Sequence, residues 1–422
     1  MLTRFRTASL FETLRKSTRI SSFFGTLVVA LALGACTDEP SEKGDDGAVA
    51  GSGTNAGAPG GGAGGAGGTS GAGGSAAGAG PVGGGAGAAG APGGAGAGGA
   101  GGSGQAAALP WLRVEGNQIK DPNGATVILR GVSLIDLGAL EAWEGGVHSM
   151  IDRLTDPNDT QGSSPGWATK VIRLAVVPAD GDTQTPHQYQ EGSTTYYDTI
   201  LRPAVDYARQ KGLYAIIDWH YIDDTSLHRE TTAAFWADMA PRFANDSHVM
   251  FELYNEPIND GNWLEVRDDM QAWYDIVRAA APQNLVLVGT PNWCQVVGPA
   301  GTQPLDGTNV VYVAHMYPQH WVQPSLQTQI ATASAFHPVF LTEWGFQEGS
   351  NEILDGTITS YGAPFKQFVE AQKLSWTAWC ASSSWGPPMF DDAYRLRVGE
   401  GEMGGFTKDW LYEKRDADLP TP

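Results

Sequence analysis

Two glutamates in aromatic surroundings, Glu256 in Asn255-Glu256-Pro257 and Glu343 in Glu343-Trp344-Gly345, are the residue types in this chain best suited to chemistry. Two carboxyls facing each other across a sugar ring, about 5 Å apart, carry out retaining glycoside hydrolysis, one as nucleophile and one as acid/base. Other residues in the chain suit such a site: Arg173 and the Tyr317 hydroxyl could hold a carboxylate charged, and His220 and His315 could donate to a carboxyl or to sugar hydroxyls. Asn255 offers an amide to a hydroxyl, and Trp379 a flat apolar face for a pyranose. Taken singly, each has a plain alternative as a core ion pair, a satisfied core histidine or packing. A metal site is the rival for the histidines, but the chain has no His-Glu-x-x-His and its first strand no His-x-His, so neither metal nor cofactor is expected.

These residues stand within or at the ends of apolar, β-branched runs. Eight such runs occur, at 127–132, 170–176, 213–219, 249–254, 285–288, 310–314, 339–342 and 375–379. Between them lie stretches of helical spacing, such as Tyr197-Ile200-Leu201-Val205-Ala208 and Ala234-Phe235-Met239-Phe243. Continuous apolar strands alternating with helices indicate a parallel sheet covered on its outer side, and eight units predict an α/β fold of the (β/α)₈ barrel type. An open doubly wound sheet would carry a Gly-x-Gly-x-x-Gly turn after its first strand, where this chain reads Gly131-Val132-Ser133-Leu134. A short β-hairpin around Glu115-Gly116-Asn117 is expected to lead into the barrel. In a barrel the chemistry belongs at the C-terminal ends of the strands, where Arg173, His220, Asn255, Glu256, His315, Tyr317, Glu343 and Trp379 then gather.

In this order, Val171-Ile172-Arg173-Leu174, Ile217-Asp218-Trp219-His220, Phe251-Glu252-Leu253-Tyr254-Asn255-Glu256-Pro257, His315-Met316-Tyr317, Leu341-Thr342-Glu343-Trp344-Gly345 and Trp376-Thr377-Ala378-Trp379 resemble glycoside hydrolase family 5. The resemblance covers essentially all of residues 110–415. It implies Glu256 as the acid/base and Glu343 as the nucleophile, with Arg173, His220, Asn255, His315, Tyr317 and Trp379 binding substrate around them; all eight positions match. In those roles Glu256 must start protonated, which a less polar pocket and the nearby charge of Glu343 would favour. The implied activity is retaining endo-hydrolysis of a β-1,4-linked polysaccharide. Glucan is the first expectation, because Asn292-Trp293-Cys294-Gln295 after Thr290-Pro291 is similar to a segment of family 5 cellulases. An endo-β-1,4-mannanase is the alternative, since the two polymers differ in one hydroxyl. A non-catalytic glycan-binding lipoprotein is a third reading, whose sign would be loss of a glutamate. Tyr221, Trp293, Trp321 and Trp385 are candidate aromatics for outer sugar positions, while Trp344 could face either the cleft or the core.

Composition separates this domain from what precedes it. Of 57 glycines, 29 lie between Gly47 and Gly104, and from Gly47 to Ala108 there is no charged residue. Such a stretch cannot bury enough apolar surface to offset its backbone entropy, so residues 36–109 are expected to be a disordered linker, with a random-coil span of about 45 Å. Residues 1–35, basic up to Arg19 and then apolar through Leu33, read as an export signal. Leu33-Gly34-Ala35-Cys36 looks like a bacterial lipobox, so Cys36 is expected to be lipidated and to anchor the protein at the cell envelope. Thr37, rather than Asp, follows the cysteine, which by resemblance to lipoprotein sorting implies the outer membrane in a Gram-negative host. Residues 110–422 form one catalytic domain, expected to be monomeric. The net charge of −20 argues against nucleic acid as a partner and suits a neutral substrate. Cys294 and Cys380 are read as buried thiols on strands too far apart to bridge.

Overall fold

The computed structural model describes residues 109–180, 185 and 187–421, so the export signal, Cys36 and the Gly/Ala-rich stretch lie outside the described residues. The hairpin forms as its turn predicts. Strand β1 (Arg113–Glu115) pairs antiparallel with β2 (Gln118–Lys120), and Gly116 makes the turn at φ +62°, a backbone region that residues with a Cβ avoid. Leu109, the last residue of the expected linker, packs partly buried against the cluster that holds Leu112 and Ile119 of this hairpin.

Eight strands then close a parallel barrel: β3 (Arg130–Leu134), β4 (Val171–Val176), β5 (Tyr214–Trp219), β7 (Val249–Glu252), β9 (Val286–Val288), β10 (Val310–Met316), β11 (Val339–Trp344) and β12 (Ser375–Ala381), the last pairing with β3. Two-residue strands β6 (Ile222–Asp223) and β8 (Glu256–Pro257) pair with each other beyond the ends of β5 and β7. The first barrel strand begins three residues later than the apolar run at 127–132 suggests. The Val127 amide is taken by Ile119 O and the Leu129 amide by Ser375 Oγ, so these residues join the hairpin in filling one end of the barrel rather than the ladder. An apolar run marks burial but does not distinguish a strand from a plug.

Outside the barrel run α1 (Leu137–Trp143), α2 (Val147–Leu154), α3 (Arg202–Gln210), α4 (Arg229–Phe243), α5 (Trp263–Ala280), α6 (Pro324–Ser334), α7 (Ala363–Gln372) and α8 (Met403–Glu413). Among the described residues, two helices follow β3 and one connection between barrel strands has none of these helices. After β9 the described chain makes only a turn at Pro291–Cys294 and a 3₁₀ turn at Gly298–Gly301, a stretch too rich in Pro and Gly to extend a helix.

Strand alternation decides which residues meet inside. Val171, Tyr214, Ile216, Met250, Val311, Val313 and Phe340 share one interior cluster, while Ile172, Ala215, Ile217, Phe251, Tyr312 and Leu341 belong to the layer under the helices. Two residues further along the same inward register come Arg173, Asp218, Glu252, His315 and Thr342. The barrel interior is therefore apolar at one end and charged at the other. No helix among the described residues is long and apolar enough to cross a membrane.

Candidate active site

Arg173 on β4 organises the charged layer and is completely buried. Its Nε and Nη2 donate to the two oxygens of Glu252 at 2.7 and 3.2 Å, and Nη1 donates to Glu343 Oε1 at 3.0 Å. Nη2 also reaches Asn255 Oδ1 at 2.6 Å and Asp218 Oδ2 at 3.0 Å. One guanidinium thus spans three carboxylates, a task its fork of five donors suits and a lysine could not perform. These partners push the arginine pKa far up against the opposing effect of burial.

Glu343 is held from its other side by the Tyr317 hydroxyl, which donates to Oε2 at 2.7 Å. Glu256 lies beside His315, whose Nδ1 is 2.7 Å from Glu256 Oε1 and 3.7 Å from Glu343 Oε2. Ligand-capable atoms of Glu256, His315 and Glu343 all fall within 4.8 Å of one another. That grouping could be read as a cation site, yet Arg173 already places a fixed positive charge on Glu343, and the His315 to Glu256 contact is a direct hydrogen bond. Burial raises the Glu256 carboxyl to about 7, against the lowering influence of His220 and Arg173; the like charge that assists is Glu252, not the Glu343 that the sequence suggested. Burial also holds His315 down to about 4, so its ring is neutral.

Asn255 is oriented by Arg173: with Oδ1 taken by the guanidinium, its Nδ2 donor is buried and has no partner among the described residues. His220 hydrogen-bonds through Nδ1 to Asp218 Oδ2 at 2.6 Å and lies parallel to the Trp379 ring at 5.3 Å, so its protein partner is Asp218 rather than Glu256. Burial lifts Asp218 to about 7. Trp379 is itself fixed by its indole N–H on Gly386 O at 3.2 Å. All eight residues named from the sequence therefore meet at the C-terminal end of the barrel.

The rim aromatics divide. Tyr221 is buried and donates to Asp180, and the rings of His228 and Tyr254 stack on it, which corrects its assignment to an outer sugar position. Trp344 is core, against Trp376 and Trp410. Trp321 is half-buried with Tyr361, Phe365 and Phe368 around its ring. Trp385 is half-buried, 6.2 Å from Trp379. Trp293 is 41% exposed and sits in a turn where Asn292, Trp293 and Cys294 all have φ near +55°, a conformation costing on the order of 1–2 kcal/mol per non-glycine residue. Cys294 fastens this turn to the site, its thiol donating to Asn255 O at 3.1 Å. Cys294 and Cys380 are both free and buried.

Four participants escaped the sequence reading: Asp218, Glu252, Thr342 and Glu144. For the first two a signal existed, since a carboxylate in step with inward apolar residues must find a buried counter-charge. Glu144, buried at the end of α1, accepts from the Ser382 and Ser384 hydroxyls at 2.6 and 2.8 Å and from the Ser383 amide at 3.2 Å, fixing the turn that carries Trp385. Trp143 beside it is 58% exposed. Nothing in the local sequence distinguishes this Trp-Glu pair from the end of an ordinary helix.

Known proteins resemble this chain in sequence and in fold. An endoglucanase from Clostridium saccharobutylicum is 27% identical over 317 residues, covering 74% of this chain and 62% of that protein. Endoglucanase E-5 from Thermobifida fusca is 26% identical over 282 residues, covering 64% and 55%. The match thus spans a little over half the length of these relatives. The same fold is found in a β-glucanase from Saccharophagus degradans (TM-score 0.64, 24% identity, 74% of this chain and 96% of that one). It recurs in the catalytic domain of the Thermobifida fusca endoglucanase (TM-score 0.59, 22% identity, 72% and 97%). The family model of cellulase, glycosyl hydrolase family 5, matches residues 122–384, a span that runs from the hairpin to the turn after β12 and contains all eight site positions, and the chain belongs to that family.

Proposed function

We propose that the chain is an endo-β-1,4-glucanase that cleaves with retention of anomeric configuration, Glu343 attacking and Glu256 giving and then taking the proton. The observation that carries the reading is that one oxygen of each carboxyl lies within 4.8 Å of one of the other, the two groups standing in different environments. That approach favours a retaining pair, whose carboxyls are about 5 Å apart, over an inverting pair at about 6.5–9.5 Å. Glu343, fixed on both oxygens by Arg173 and Tyr317, is aimed as a charged nucleophile at the anomeric carbon. Glu256 starts protonated below about pH 7, passes its proton to the departing glycosidic oxygen, and as carboxylate draws a proton from the water that cleaves the ester. The unpartnered Asn255 Nδ2 supplies a donor for the hydroxyl neighbouring the reacting carbon, where hydrogen bonding tightens in the transition state. His220 and Trp379 present a polar tip and an apolar face to the same ring.

The relatives' name and a β-glucanase from Saccharophagus degradans crystallised with cellotetraose favour glucan over mannan. Hydrolysis of soluble cellulose derivatives and of galactomannan, with the anomer of the first product read by NMR, tests the proposal. A β reducing end from the cellulose derivative is expected; activity on galactomannan alone overturns the substrate, and an α product overturns the mechanism. We further propose export and anchoring through lipidated Cys36 in an outer membrane, as the N-terminal sequence suggests, with the domain acting as a monomer. Mass spectrometry of the mature N-terminus is expected to find a diacylglyceryl group on Cys36, which Cys36→Ser abolishes.

A further inference from the structure

We infer that Thr342 is a positioning residue that selects the tautomer of His315, and that this tautomer keeps Glu256 protonated; the inference rests on the acid role proposed above for Glu256. Three hydrogen bonds run in series: Glu256 Oε1 to His315 Nδ1 at 2.7 Å, His315 Nε2 to Thr342 Oγ1 at 3.0 Å, and Thr342 Oγ1 to Glu252 Oε1 at 2.8 Å. Direction along this chain follows from counting protons. Burial raises the Glu252 carboxyl, but Arg173 opposes this by donating to both of its oxygens, and the geometry assigns Glu252 as the acceptor from Thr342. The single hydroxyl proton of Thr342 is therefore spent on Glu252, and its oxygen can only accept from His315.

His315 must then carry its proton on Nε2. The ring is buried and neutral, which leaves Nδ1 as a bare lone pair facing Glu256. A carboxylate there would meet that lone pair with no proton between them, whereas a carboxylic acid donates into it. Thr342 thus transmits to Glu256 the consequence of the Arg173–Glu252 pair on the far side of the ring. The other charged groups around Glu256 do not perform this selection: His220 and Arg173 favour its charged form, Glu252 and Asp218 oppose it electrostatically, and Glu343 and Tyr317 bond to each other. When Glu256 surrenders its proton to the leaving oxygen, the bond to Nδ1 is lost, and proton return from water restores it.

Thr342→Val removes the acceptor and frees His315 to place its proton on Nδ1, where it favours the Glu256 carboxylate. The alkaline limb of kcat/KM, measured on whichever of soluble cellulose or galactomannan the wild-type protein hydrolyses, is expected to move down by about one to two pH units. Thr342→Ser keeps the hydroxyl and is expected to retain the wild-type limb. Independently of activity, ¹⁵N spectra of histidine-labelled protein, with His315 assigned by its loss in His315→Gln, are expected to show a neutral ring protonated at Nε2 in the wild type. A wild-type ring protonated at Nδ1, or coincident limbs for wild type and Thr342→Val, overturns the inference. If the valine variant does not fold, the wild-type spectrum decides alone. Absence of hydrolysis on both polymers refutes the proposed function and leaves the same spectrum to decide this point.

Discussion

Removing the carboxyl of Glu256 separates the acid step from every other part of the site. Burial lifts that carboxyl from 4.5 to about 7, and each pKa unit corresponds to about 1.4 kcal/mol, so the folded protein favours its protonated form by about 3 kcal/mol. The sign follows: the acid is present below about pH 7 and is lost as pH rises through that value. Two units higher, at about pH 9, only on the order of 1% of Glu256 carries a proton, and kcat/KM on a natural glucan is expected to fall about a hundredfold. Glu256→Ala is expected to cost about 10²–10⁴-fold on that substrate at pH 6, the usual worth of general acid catalysis. A dinitrophenyl β-cellobioside needs no protonation to depart. On it the variant should form the glycosyl-enzyme at a rate independent of pH from about 6 to 9, accumulate it, and release a β-glycosyl azide when azide is supplied. The assay is the pH profile of both proteins on both substrates, with the burst of dinitrophenolate read directly. An alkaline limb that survives in Glu256→Ala, or a wild-type limb centred near the ordinary carboxylate value, refutes the assignment of the acid and the burial argument behind it.

Arg173→Met leaves Asp218, Glu252 and Glu343 without their shared counter-charge, and a loss of about 3–5 kcal/mol in denaturant unfolding is expected; a change under about 1 kcal/mol contradicts the pairing described. Glu343→Ala removes the carboxylate that Arg173 and Tyr317 aim, and is expected to abolish both chemical steps on the dinitrophenyl substrate, with no glycosyl-enzyme detectable by mass spectrometry. Glu144→Ala unties the turn of Ser382–Ser384 and is expected to raise KM for polymer severalfold while kcat stays within about twofold, since the turn sets Trp385 and not the reacting carboxyls. Trp385→Ala is expected to match it, whereas Tyr221→Phe, a change in a buried ring, should leave KM as it was.

Much of the fold was legible because it depends on local pattern. Continuous apolar, β-branched runs alternating with helical spacing yield eight strands, and Gly116 yields the turn of the hairpin, since a strand covered on both faces is apolar throughout and a positive φ favours glycine anywhere. Residue types carried the site as well: an Asn-Glu-Pro and a Glu-Trp-Gly at the ends of strands in a closed parallel barrel must converge, because every strand end points to one face. What the sequence could not decide was which neighbour each group meets across the ring. Whether Glu252 or Glu343 assists burial in raising Glu256 depends on inter-strand register, which no single strand encodes, and His220 bonds to Asp218, two residues before it, rather than reaching across to Glu256. Tyr221 and Trp293 read alike as rim aromatics, yet the first is buried with the rings of His228 and Tyr254 stacked on it and the second is exposed in a left-handed turn. The types of the groups proposed to act were thus written in the chain. Their protonation, their orientation and the accessibility of the aromatics were decided only by tertiary packing, because burial, charge proximity and ring contact are properties of distance in space rather than along the sequence.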